Sequence, residues 1–208
     1  RVESDGMVSV QALESAVIRA ETDNTSSSSG GSSITGQGDS IAANGIVATN
    51  LVLSKSSAYI ESSDITTSIS GQDGQGNIIV DAQNISQIDA LTKSFSTSEG
   101  DSYAFLMAFN TLGYRPQNLL FNTFDALLGL DLLGSADPAT VKAYISDSTI
   151  DAAAEVWVSA DSAAQIYAMV TNDATSEATS IFGTTGTSVS GILSSNMVSS
   201  SADAYIQD

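Results

Sequence analysis

Val141-Lys142-Ala143-Tyr144-Ile145-Ser146-Asp147-Ser148-Thr149-Ile150-Asp151, running on into Val156-Trp157-Val158-Ser159-Ala160, decides the fold because the chain repeats it. Ala58-Tyr59-Ile60-Glu61-Ser62-Ser63-Asp64-Ile65 is a second copy, and Ala204-Tyr205-Ile206-Gln207-Asp208 begins a third. Two further landmarks recur in the same order. One is Val-x-Ala-x5-Ile-x-Ala, met at Val10, Ala12, Ile18 and Ala20, at Val80, Ala82, Ile88 and Ala90, and at Val158, Ala160, Ile166 and Ala168. The other is an asparagine inside a small and apolar run: Asn50, Asn110 and Asn196. Repetition at a fixed order is the signature of stacked units that each cover the last.

The spacings agree with that alignment. Asn50 to Ala58 is 8 residues, as is Asn196 to Ala204, whereas Asn110 to Ala143 is 33. The middle copy therefore carries an insertion of 33 − 8 = 25 residues, and Ala143 to Ala204 gives a period of 61 without one. Inside the unit, apolar residues alternate with polar ones, as in Val156-x-Val158-x-Ala160 and Ile166-x-Ala168-x-Val170. Period two with β-branched residues predicts strands. Small inward residues suit a narrow coil. A solenoid coil of roughly 20 residues predicts about three coils per repeat of a parallel β-helix. An antiparallel β-sandwich per repeat is the alternative, since turn spacing leaves strand direction open.

On this reading residues 1–208 form one continuous solenoid segment, interrupted twice. Residues 25–33 are low-complexity Ser and Gly, expected as a flexible surface loop. Residues 114–138 differ in kind. Pro116 suits a first helical turn, Leu120, Phe124, Leu127 and Leu128 follow at helical spacing, and Gly134 and Pro138 close the segment, so a short apolar helix is expected there.

Composition narrows the function. In 208 residues, 42% are apolar, enough for a packed core, but only 14% are charged, against roughly 25% in ordinary soluble domains. Ser, Thr, Asn and Gln carry the solubility instead. The charge is −18, with six basic residues and none after Lys142, so nucleic acid and anionic membrane are poor partners. No run of 18 apolar residues exists to form a membrane-spanning helix. The chain opens at Arg1 and both ends fall inside repeat units, so it is expected to be a piece of a longer polypeptide.

With no His and no Cys, a Ser-His-Asp triad, a Cys nucleophile and His- or Cys-based zinc sites are excluded, and no disulfide forms. No catalytic, cofactor-binding or metal-ligating residue is assigned. Carboxylate chemistry needs paired acids, and Glu61/Asp64 and Asp147/Asp151 are pairs beside the Ala-Tyr-Ile motif; their expected role is as solvated turn residues, repeated with the unit. Calcium is the one cofactor considered. Gly71-Gln72-Asp73-Gly74-Gln75-Gly76-Asn77 and Thr35-Gly36-Gln37-Gly38-Asp39 have suitable composition, but neither matches the calcium nonapeptide or an EF-hand loop. The repeated Asn is expected in bends, bonding backbone groups, and the repeated Tyr as packing with its hydroxyl at the surface.

Val-Lys-Ala-Tyr-Ile-Ser-Asp-Ser-Thr-Ile-Asp-Ala (141–152) and Val-Trp-Val-Ser-Ala-Asp-Ser-Ala-Ala-Gln-Ile-Tyr-Ala (156–168) resemble the repeats of giant secreted bacterial surface proteins, the adhesin- and haemagglutinin-like arrays. The resemblance implies an extracellular β-solenoid stalk, spacer or filament subunit at the cell surface, without enzymatic activity. Implied partners are neighbouring repeats or copies docked end to end, with glycans or other surface proteins as further ones. The alternatives are a carbohydrate-binding or carbohydrate-active β-helix and a calcium-dependent binding module.

Overall fold

The computed structural model describes residues 1–29, 40–69, 76–114, 137–177 and 186–208. Those residues form fifteen strands in three laps of five. The first lap runs β1 (Val2–Ser4), β2 (Val8–Glu14), β3 (Val17–Ser28), β4 (Ile41–Val52) and β5 (Ser56–Glu61). The second runs β6 (Asp64–Thr67), β7 (Ile78–Asn84), β8 (Gln87–Ser98), β9 (Asp101–Leu112) and β10 (Ala139–Ser146). The third runs β11 (Thr149–Asp151), β12 (Val156–Ser162), β13 (Gln165–Ser176), β14 (Ser188–Val198) and β15 (Ser200–Gln207).

Each strand pairs with its counterpart one lap away, giving five three-stranded sheets: β1-β6-β11, β2-β7-β12, β3-β8-β13, β4-β9-β14 and β5-β10-β15. Every pairing among the described strands is parallel. The chain is thus an all-β fold of the β-solenoid type, and the antiparallel sandwich is set aside. The expected three coils per repeat are also corrected: one repeat is one coil. A generic coil of roughly 20 residues underestimates this one, because the lap has five strands and its two long walls use strands of 12 residues, as in β8 and β9. At roughly 3.3 Å per residue, such a strand spans about 40 Å, so each lap is wide and flat.

The walls face each other in pairs. The β3-β8-β13 sheet packs on the β4-β9-β14 sheet, and the β2-β7-β12 sheet on the β5-β10-β15 sheet, while short β1, β6 and β11 form their own sheet between laps. The two walls are offset along the stack. β5 touches both β2 and β7, β10 touches β7 and β12, and β15 packs on β12; likewise β4 lies against β3 and β8, and β14 against β13. A spiral climbs as it winds, so each strand sits between two strands of the opposite wall.

Alternation explains the core. In β7 the inward set is Ile78, Val80, Ala82 and Asn84, all at 0% exposure, with Ile79, Asp81 and Gln83 outward. Ala58, Ile60, Val141, Ala143 and Ile145 meet them from the opposite wall. Toward the far edge of the lap the interior turns polar: Ser94, Ser96, Ser98 and Ser102 are buried. Small side chains let the walls close, and three of these hydroxyls are paired, Ser102 Oγ with Ser96 Oγ at 2.9 Å and Ser98 Oγ with Ser40 Oγ at 3.0 Å, whereas Ser94 Oγ has no hydrogen-bond partner among the described residues.

Length differences between laps fall at corners. Gly113 (φ 77) turns the chain out of β9; its N–H bonds Val52 O, and Asp137 N–H returns to Gly113 O. Residues 115–136, where the apolar helix was expected, lie outside the described residues. The Ser-rich stretch divides: Thr25, Ser26, Ser27 and Ser28 end β3 in register with Phe95, Ser96, Thr97 and Ser98, not in a loop, and 30–33 lie outside the described residues. Repeated Ser is accommodated because the inward position there is itself a serine ladder.

Candidate interaction surface

All three landmarks stack in register. Val10, Val80 and Val158 pair, as do Ile18, Ile88 and Ile166. Asn50, Asn110 and Asn196 pair, and Tyr59, Tyr144 and Tyr205 pair. The asparagines occupy the strands β4, β9 and β14, not bends. Asn110 is 2% exposed, and its amide links both neighbours: Asn50 Nδ2–H to Asn110 Oδ1 at 2.8 Å, and Asn110 Nδ2–H to Asn196 Oδ1 at 2.8 Å. An amide carries a donor and an acceptor, so one residue type repeated on parallel strands satisfies itself with a fixed polarity.

The tyrosines form an outer column. Ring centroids are 5.2 Å apart in both steps, with interplanar angles of 8° and 3°. In-register parallel strands impose that spacing. Tyr144, the middle ring, has its phenol raised above the usual value of 10.0, first by loss of water between its neighbours, then by the Glu61 carboxylate and the flanking phenols. Because the folded state holds this proton more tightly, its contribution is complete below about pH 10 and is lost as pH rises through the raised value. Melting temperature should fall above pH 10, together with a delayed 295 nm phenolate signal. Tyr144→Phe should remove that component; an unshifted titration would mean that the column is open in solution.

The candidate acid pairs share one corner, between β5 or β10 and the next strand. Glu61 ends β5, Asp64 begins β6, Asp147 is the corner residue itself (φ 48) and Asp151 ends β11; all four are exposed. They are not equivalent positions, contrary to expectation: Glu61 is in register with Ser146, and Asp64 with Thr149. Position-for-position equivalence belongs instead to Ser62 (φ 49) and Asp147, the two left-handed corner residues. Serines brace the corner, Ser148 Oγ–H to Ser146 O at 2.6 Å and Ser63 N–H to Ser148 Oγ at 3.1 Å. Among the described residues no cluster of three or more carboxylates could hold a metal. Of the glycine-rich stretches considered for calcium, all of 35–39 and residues 71–75 of 71–77 lie outside the described residues. Asn77, at the end of the second, accepts a bond from Glu155 N–H at 3.0 Å.

An open groove of about 600 Å³ crosses the outside of the β4-β9-β14 sheet, with Tyr103 and Phe105 flanked by Gly45 and Gly191. It is lined mainly by apolar atoms, with Asn44 and Ser190 also on its wall.

Burial along a ladder differs from lap to lap. Leu106, in the middle lap, is fully buried, but its third-lap partner Ile192 is 49% exposed. Ile145 is 1% exposed and its partner Ile206 is 63% exposed. Sequence reasoning identified these ladder positions without showing how their burial varies between laps. No protein-family model matches the chain, and neither curated proteins nor solved structures yield a match.

Proposed function

We propose that the chain is a structural segment of a secreted bacterial fibre or adhesin, acting at the cell surface as stalk, spacer or filament subunit and catalysing no reaction. What supports this reading is that residue identity is kept lap after lap at ladder positions, whereas corner lengths vary. Selection for a rigid stack would leave that pattern. The lack of His and Cys and the exposed, non-equivalent acids agree with it.

Antibodies against the chain, viewed by immunogold electron microscopy on producing cells, should decorate regular surface fibres. Label confined to the cytoplasm would overturn the proposal, as would release of reducing sugar from polysaccharides by the purified chain.

A further inference from the structure

We propose that the groove on the outer wall of the β4-β9-β14 sheet is a binding site for a small organic cation, an ammonium group carried on an apolar body the size of one ring. This goes beyond the scaffold reading and does not depend on it.

The groove belongs to the wall, not to either end of the stack. Its rings, Tyr103 and Phe105, stand on the middle lap, and Gly45 and Gly191 flank Phe105 from the laps on either side. Side chains alternate along a strand, so Asp101, Tyr103 and Phe105 follow one another on the outer face of β9. Both rings are exposed although they sit mid-stack, Tyr103 by 42% and Phe105 by 48%. Phe105 leans toward Gly191, where an added Cβ would meet its ring at 3.0 Å. At Gly45 an added Cβ would meet nothing within 4 Å, so open space lies over Gly45, beside the ring. At about 600 Å³ the groove falls within the size of small-molecule sites, roughly 300–1,000 Å³.

Charge selects the occupant. The strands β4, β9 and β14 contain one charged residue, Asp101, and no Lys or Arg. The β3-β8-β13 wall, by contrast, carries Arg19 and Lys93 among its acids. Asp101 Oδ1 accepts the Thr187 N–H at 3.0 Å, which anchors the carboxylate two residues ahead of Tyr103. With the chain at −18, the potential over the rings is negative, and no basic residue of this wall opposes it. Aromatic faces attract cations through their quadrupole. Asp101 and Tyr103 lie about 7 Å apart along the strand, with Phe105 about 7 Å further on. An ammonium over Tyr103 therefore has the carboxylate on one side, and its apolar body rests on Phe105 and Gly45 on the other. A neutral ring gains the apolar contact alone, and an anion is repelled.

Three soluble probes that share a phenyl ring test the charge: benzyltrimethylammonium, benzyl alcohol and benzoate, each titrated by NMR against the folded chain. The cation should bind at least fivefold more tightly than the alcohol, and benzoate should not bind. Asp101→Asn, whose amide oxygen still accepts the Thr187 N–H, should weaken the cation at least threefold and leave the alcohol unchanged. Gly45→Val fills the open space and should weaken both at least fivefold, with the melting temperature kept. Equal affinity for cation and alcohol would overturn the proposal. So would cation binding that survives both substitutions, since that is diffuse attraction to an acidic surface. Neither outcome touches the fibre reading, which the immunogold labelling tests separately.

Discussion

Ile88→Ala should lower the unfolding free energy by about 3–4 kcal/mol, whereas the same change at Ile166, in the same ladder, should cost about half as much. Ile88 is fully buried between Ile18 and Ile166, each only partly covered. A middle-lap side chain has neighbours above, below and across, so deleting three carbons leaves a cavity that the walls cannot close. At the open end, part of that surface already faces water. Chemical denaturation of the two variants measures the contrast. Equal losses would contradict a stack whose cohesion is concentrated in its central lap.

Asn110→Ala should cost about 2–4 kcal/mol, because the buried amide at the centre of the ladder and both of its part-buried bonds are lost. Asn50 Nδ2 loses its acceptor and Asn196 Oδ1 its donor. Asn196→Ala removes one bond at a solvent-facing edge and should cost about 1 kcal/mol. A neutral Asn110→Ala, read in the same denaturation experiment, would mean that water serves these amides as well as the ladder does.

Repetition made much of the architecture legible. Val80, Ile88, Asn110 and Tyr144 have counterparts at fixed order, and parallel stacking is the arrangement that brings all of them together. The size of a lap was not legible in the same way. Alternation in β8 and β9 continues through Ser and Thr, which a hydrophobicity pattern reads as exposed, although Ser94, Ser96 and Ser98 point inward and are buried. That polar interior hid the far half of each wall and shortened the expected coil. The asparagine was misplaced for a related reason. A polar residue mid-strand looks like a bend until an identical residue sits directly above it, and single-chain spacing does not reveal that contact. At the corner formed by Ser62 and Asp147, the acids were seen but their register was not, because a shift of one or two residues at a corner leaves spacing almost unchanged.

Gly113 has a wider meaning. Its departure from β9 and the return at Asp137 are tied to the frame by Gly113 N–H to Val52 O and Asp137 N–H to Gly113 O, and the third lap bridges the gap through Ser199 N–H to Leu112 O and Ala139 N–H to Ser199 O. The strands on either side of that corner keep the register of their neighbours in the other laps. Added chain length can therefore enter a lap at that corner while the hydrogen-bonded frame on both sides stays in step.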